Sequence, residues 1–173
     1  ARGGTVTEPV VVPLTYTGPG ASATRVVVSP TFATLVAGAQ QAFTTQAFDA
    51  QNTRLPGTPV RFRSLDTSVV TITDAGVATA RAVRGSALIV AELYTGPSDS
   101  VPVAVILPAS RIQIVSGNAQ TGVAGAALAQ PVVARVLAAD DVPVANVRVD
   151  FTAGQGGQVS LSPVFSNASG DVV

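Results

Sequence analysis

Apolar residues in this chain alternate with polar ones or sit in short Val-rich runs closed by Gly, Pro, Asn or Ser, and seldom recur at helical spacing. Val60 and Phe62 alternate with Arg61 and Arg63, and Phe43, Thr45 and Ala47 share one face of an extended segment. Val70 with Ile72, and then Val77 with Thr79, continue the same grammar. These positions predict strands buried on one side. The segment 86–93 differs: if Ala87, Ile89 and Ala91 point inward, Leu88 and Val90 point out. The segment 101–107 is likewise apolar on both faces, so Leu88, Val90 and Ile106 form a candidate exposed apolar interface. Further on, Val132, Ala134 and Val136 alternate with Val133, Arg135 and Leu137, and Val147, Val149 and Phe151 alternate with Arg148 and Asp150. A strand is expected over 158–161, and 166–173 begins another that stops. Turn-forming groups such as Thr17-Gly18-Pro19-Gly20, Asp74-Ala75-Gly76 and Thr95-Gly96-Pro97 punctuate the chain at roughly 8 to 12 residues. The expected fold class is all-β, as tandem sandwiches with the second incomplete within this chain.

Length agrees with two such units, because 173 residues divide into sandwiches of about 80 to 100 residues each. Tyr16-Thr17-Gly18-Pro19 recurs as Tyr94-Thr95-Gly96-Pro97, 78 residues later, and each copy leads into a Val/Ile-rich strand opening with Arg25 or Arg111. The expected organisation is 1–21 as an N-terminal extension or a strand of a neighbouring domain, 22–107 as the first sandwich and 108–173 as the second.

Charge narrows the partners. Ten arginines balance ten acidic residues singly along the chain, leaving no basic stripe for nucleic acid or an anionic membrane surface. No apolar run approaches the roughly 18 to 20 residues that a spanning helix needs. Cysteine is absent, which excludes disulfides and thiolate chemistry, and the lack of Lys, His, Met and Trp together with low charge fits a high-GC bacterial surface protein. The chain opens Ala1-Arg2-Gly3-Gly4 and reads as a processed or excised segment.

Two stretches resemble known families. Ser64-Leu65-Asp66-Thr67-Ser68-Val69-Val70-Thr71-Ile72, then Ala75-Gly76-Val77-Ala78-Thr79-Ala80 and Gly85-Ser86-Ala87-Leu88-Ile89-Val90-Ala91, with Leu35 and Gly38 ahead of them, resemble a bacterial immunoglobulin-like domain of group 2. Leu128, 132–136, Asp141-x-Pro143-Val144, Val147-x-Val149-x-Phe151 and Asn167-Ala168-Ser169-Gly170 are similar to a group 1 domain of the invasin and intimin kind, cut short by about a strand pair. The resemblance implies immunoglobulin-like sandwiches in a surface or secreted protein, with no catalytic residues to carry over. It also makes Phe62 the residue in the core Trp position of antibody domains.

Candidate chemistry is sparse. Acid–base catalysis or a metal site needs converging His, Cys or carboxylates, and here isolated Asp and Glu stand alone, so neither an enzyme nor a cofactor is expected. Asp140-Asp141 has two readings, oxygen ligands for Ca²⁺ between domains or the polar residues of a turn, with the turn preferred. Gly154-x-Gly156-Gly157 reads as a turn, and Asn167-Ala168-Ser169 has the form of a glycosylation sequon. Tyr16 and Tyr94 are read as packing between domains, with sugar stacking as the alternative. Val10, Val11, Val12, Leu14 and Tyr16 form a candidate donor strand that could complete the second sandwich of another copy, although Pro9 and Pro13 lack amide donors. In the other reading, which is preferred, the chain is a fragment: residues 6–16 are the last strand of an upstream domain and the missing strands of the second sandwich lie downstream. The functional expectation is a structural or adhesive module of an extracellular bacterial fibre, stalk or filament, with copies of itself or neighbouring immunoglobulin-like domains as partners. A module binding a receptor or glycan, or a phage decoration domain, is the alternative.

Overall fold

A computed structural model describes residues 15–173, and every regular element among them is a β-strand. The donor positions Val10, Val11, Val12 and Leu14 lie outside the described residues.

The first group of strands forms two facing layers. Strand β1 (Arg25–Ser29) pairs antiparallel with β4 (Thr44–Phe48), setting Arg25 against Phe48 and Ser29 against Thr44. The chain then crosses at Pro30 to the other layer, where β2 (Ala33–Val36) runs parallel to β9 (Ser98–Ile106). That layer has the order β2-β9-β8-β5, with β8 at Gly85–Leu93 and β5 at Val60–Ser64. The opposite layer continues through β3 (Gln40–Ala42), β7 (Val77–Ala80) and β6 (Val70–Ile72), in the order β3-β7-β6. One first strand shared between two layers, its second half parallel to the last, is the immunoglobulin-like arrangement, and the chain is all-β with sandwiches of this type.

Only Phe43 separates β3 from β4. Its amide donates to the Gly76 carbonyl at 2.8 Å and its ring is buried. Gly76 has φ +79°, and a Cβ there would lie 2.5 Å from the Phe43 carbonyl oxygen, so this position accepts no side chain. The core between the layers holds Val28, Leu35, Phe43, Val70, Ile89, Val101, Val103 and Val105 around a floor of Ala78, Ala80, Ala87 and Ala91. Burying each large aliphatic side chain contributes about 1.5–3 kcal/mol.

The phase of β7 differs from expectation. Val77 and Thr79 are half-buried, and Ala78 and Ala80 take the interior positions. The reason is the turn: Thr73 and Val77 close it by backbone hydrogen bonding, placing Ile72 opposite Ala78 and Val70 opposite Ala80. Cross-strand partners share a face, so the alanines follow Val70 and Ile72 into the core.

The second group is thinner. Strand β10 (Ala109–Ser116) pairs with β11 (Val133–Ala138), which pairs on its other side with β14 (Asp171–Val172). A separate two-stranded sheet pairs β12 (Arg148–Val149) with β13 (Val164–Phe165). The strand expected over 158–161 is not formed; Val159 and Leu161 are exposed and pairing begins only at Val164. Beyond Val149 the Phe151 amide goes to the Ser162 hydroxyl at 3.0 Å, ending the ladder at two residues.

Candidate interaction surfaces

Among the described strands, β10 is the most exposed. Among the described residues it is hydrogen-bonded along one side only, to β11, and all eight of its residues are exposed. Ile112 opposes Val136 and Ile114 opposes Ala134, which in turn opposes Val172, so these five side chains lie on one face of the sheet. On that face Ala134, Val136 and Val172 are covered, but Ile112 and Ile114 are 54 % and 53 % exposed. Nearby loops bury Ser166, whose hydroxyl donates to the Val144 carbonyl and accepts from the Val147 amide. This cover stops short of β10. The result is an apolar face beside a backbone edge that is unpaired among the described residues, the combination that accepts an added strand. The sequence reading expects an incomplete second sandwich but does not assign the open edge to β10, because Arg111-Ile112-Gln113-Ile114 alternates like any half-buried strand and alternation does not reveal which strand lacks a partner.

On the first unit, the outward face of the β2-β9-β8-β5 layer carries Leu88 and Ile106, each 41 % exposed, with Val36 opposite Ile106 and Pro102 opposite Leu88. Val90 departs from its expected role, being 6 % exposed. It lies between Arg63 on β5 and Ser100 on β9, in the middle strands, where neighbours on both sides shelter it.

The two Tyr-Thr-Gly-Pro copies come together. The Tyr16 and Tyr94 rings stack with centroids 5.9 Å apart and planes 27° apart, and the Tyr16 hydroxyl donates to the Pro19 carbonyl at 2.9 Å. Tyr94 sits in the turn joining β8 to β9, so the pair ties the segment entering β1 to that turn. Tyr94 keeps 65 % exposure, but Tyr16 occupies one face of its ring. The shallow cleft beside it is lined by Arg61, Glu92, Leu93 and Gly96.

Charged side chains are used within the fold. Asp66 accepts from the Ser68 amide at 3.0 Å and hydroxyl at 2.5 Å, and these bonds hold its carboxyl below the usual range. The Ser64-x-Asp66-x-Ser68 run is therefore a turn built by side chains. Arg135 grips Asp171 through Nε at 2.6 Å and Nη2 at 3.1 Å, tying β11 to β14 and lowering the Asp171 carboxyl pKa. Asp140 and Asp141 occupy the turn after β11, with Asp141 at φ 64°. Each carries a guanidinium, from Arg84 and Arg111 respectively. Among the described residues no group of three or more metal-ligating side chains gathers. Gln155 and Gly156 both have positive φ and Gly157 donates to Gly154, which makes that run a turn. The Asn167 side-chain oxygen accepts from the Ser169 and Asp171 amides at 2.9 and 3.0 Å, shaping the turn into β14.

No protein-family model matches the sequence, and no curated protein does. Solved structures that resemble it include domains 4 and 5 of the S-layer protein SbsC, at 22 % identity and TM-score 0.42, covering 49 % of this chain and 52 % of that one. An intimin mutant from EHEC O157:H7 follows at 16 % identity and TM-score 0.34, covering 48 % and 39 %. A bacterial Ig-like domain containing GH10 xylanase from termite gut stands at 22 % identity and TM-score 0.34, covering 46 % and 20 %. The chain thus spans about half or less of these chains.

Proposed function

We propose that the chain is a structural module of an extracellular bacterial fibre, stalk or filament, without a reaction of its own, in which tandem immunoglobulin-like units of the group 2 and group 1 kinds hold other parts together or apart. The observation that supports this reading is the β10 edge, unpaired among the described residues, with Ile112 and Ile114 exposed beside a closed core. A surface of that kind is completed by another strand, and completion by a neighbouring unit or a second copy links units in series. The donor in the second case is the segment carrying Val10, Val11, Val12 and Leu14. Tyr16, at the end of that segment, stacks its ring on Tyr94.

Electron microscopy and sedimentation of the purified chain test the reading. Head-to-tail strand addition gives filaments or ladders of oligomers, and removing residues 1–14 or introducing Ile114→Lys reduces them to monomers. Filaments that persist without residues 1–14 would rule out this donor. A monomer with turnover of any substrate would sink the wider reading.

A further inference from the structure

The two strand groups are joined by Leu107 and Pro108 alone, because β9 ends at Ile106 and β10 begins at Ala109. A connection this short limits how far the units separate, and Pro108 fixes one φ, but the remaining dihedrals still permit bending. A second contact away from the connection removes that freedom. Arg84, in the turn between β7 and β8, supplies one: its Nε donates to Asp140 Oδ2 at 2.6 Å and its Nη2 to Oδ1 at 3.4 Å. The two side chains are 32 % and 29 % exposed, less than the Arg111–Asp141 pair at 46 % and 73 % or Arg148–Asp150 at 61 % and 57 %. They border a cleft of about 320 Å³ whose walls include Val83, Leu107 and Ala139. Two donors on one carboxylate fix orientation as well as distance, which a single flexible ammonium would not.

Beside Asp140, Asp141 is held by Arg111. Adjacent carboxylates at a junction suit a hard divalent cation by charge, yet here two guanidinium groups, one from each unit, already satisfy them. We propose that the Arg84–Asp140 clasp sets the angle between the two units in the place a bridging metal ion would take, so that the joint is stiff without divalent cations and loosens when salt screens the pair. This rests on the reading of the chain as a spacing module and states how its stiffness is regulated. Screening is the natural control, since the Debye length falls from about 10 Å at 0.1 M to about 3 Å at 1 M ionic strength.

The chain has no cysteine, so two can be introduced as unique attachment points, with Gln51→Cys at the far end of the first unit and Gln113→Cys on β10. Spin labels at these positions report the distance between units by pulsed electron resonance in the full chain. The expected result is one narrow distance distribution, unchanged by Ca²⁺ or a chelator and broadened in about 1 M salt. Arg84→Ala broadens it at low salt, and the charge-swapped pair Arg84→Asp with Asp140→Arg narrows it again. Thermal unfolding of each variant verifies that both units remain folded. The proposal is overturned if Arg84→Ala keeps the parent distribution, if the swapped pair stays broad in folded protein, or if Ca²⁺ narrows the distribution. A loose joint in protein that still forms filaments removes the clasp and leaves the assembly reading; a stiff joint in a strict monomer does the reverse.

Discussion

Ile89 and Ile112 occupy similar strand positions, but one is fully buried between two layers and the other is 54 % exposed. The energetic consequence follows from the cavity each truncation leaves. Ile89→Ala removes atoms from a close-packed interior that relaxes only partly, and it is expected to cost about 2–5 kcal/mol in chemical denaturation. Ile112→Ala leaves no cavity and stays within about 0.5 kcal/mol. Equal losses from the two substitutions would mean that β10 is covered in the isolated chain. At the same scale, Gly76→Ala places a Cβ against the Phe43 carbonyl at a φ of +79°. A destabilisation above about 1 kcal/mol is expected, read from the urea midpoint. The alternation of Phe43, Thr45 and Ala47 indicates a strand face, but that the chain bends at Phe43 and demands a glycine opposite is a property of two strands together.

Among the elements, β8 and β5 keep the faces that the sequence pattern assigns, whereas β7 and the stretch 158–161 depart from it. Ala87, Ile89 and Ala91 face inward on β8, flanked by β5 and β9, and Arg61 and Arg63 face outward on β5, as the alternation requires. The shift of β7 by one residue comes from the length of the turn after Ile72, which ranks above side-chain size in deciding the face. The strand expected over 158–161 has the right residues but no ladder to join. The short β14 is held differently, by Val172 against Ala134 and by the Arg135 grip on Asp171. Because that grip lowers the Asp171 pKa in the folded state, its contribution is present above the ordinary carboxylate value of about 3.9 and is lost as pH falls through the depressed value. The stability of the second unit should therefore fall as pH drops below about 4, with part of that slope absent in Asp171→Asn. Urea midpoints measured across this range check the sign, and an identical slope in the variant would remove Asp171 from the account.

Across the whole molecule, the unequal closure of the two units makes one consequence unavoidable. The first unit buries Val28, Phe43, Val70, Ile89, Val101, Val103 and Val105 between two layers, and its β8 hairpin with β9 runs the length of both strands. The second buries Ala134, Val136, Leu137, Ala138 and Val172 largely on one side, while Ile112, Ile114, Leu161 and Phe165 remain half or more exposed. Apolar area removed from water sets the main favourable term, so the two units should not unfold together. Calorimetry of the chain is expected to give two transitions, the lower one from the second unit. Amide exchange should then be fast along β10, whose residues are all exposed, and slow in β8. Whatever covers Ile112 and Ile114 raises the lower transition by mass action and leaves the upper one in place. In protein that assembles, the lower transition therefore moves upward with concentration. A single cooperative transition in the monomer would show that the Arg84–Asp140 contact and the short connection couple the units more strongly than their unequal cores divide them.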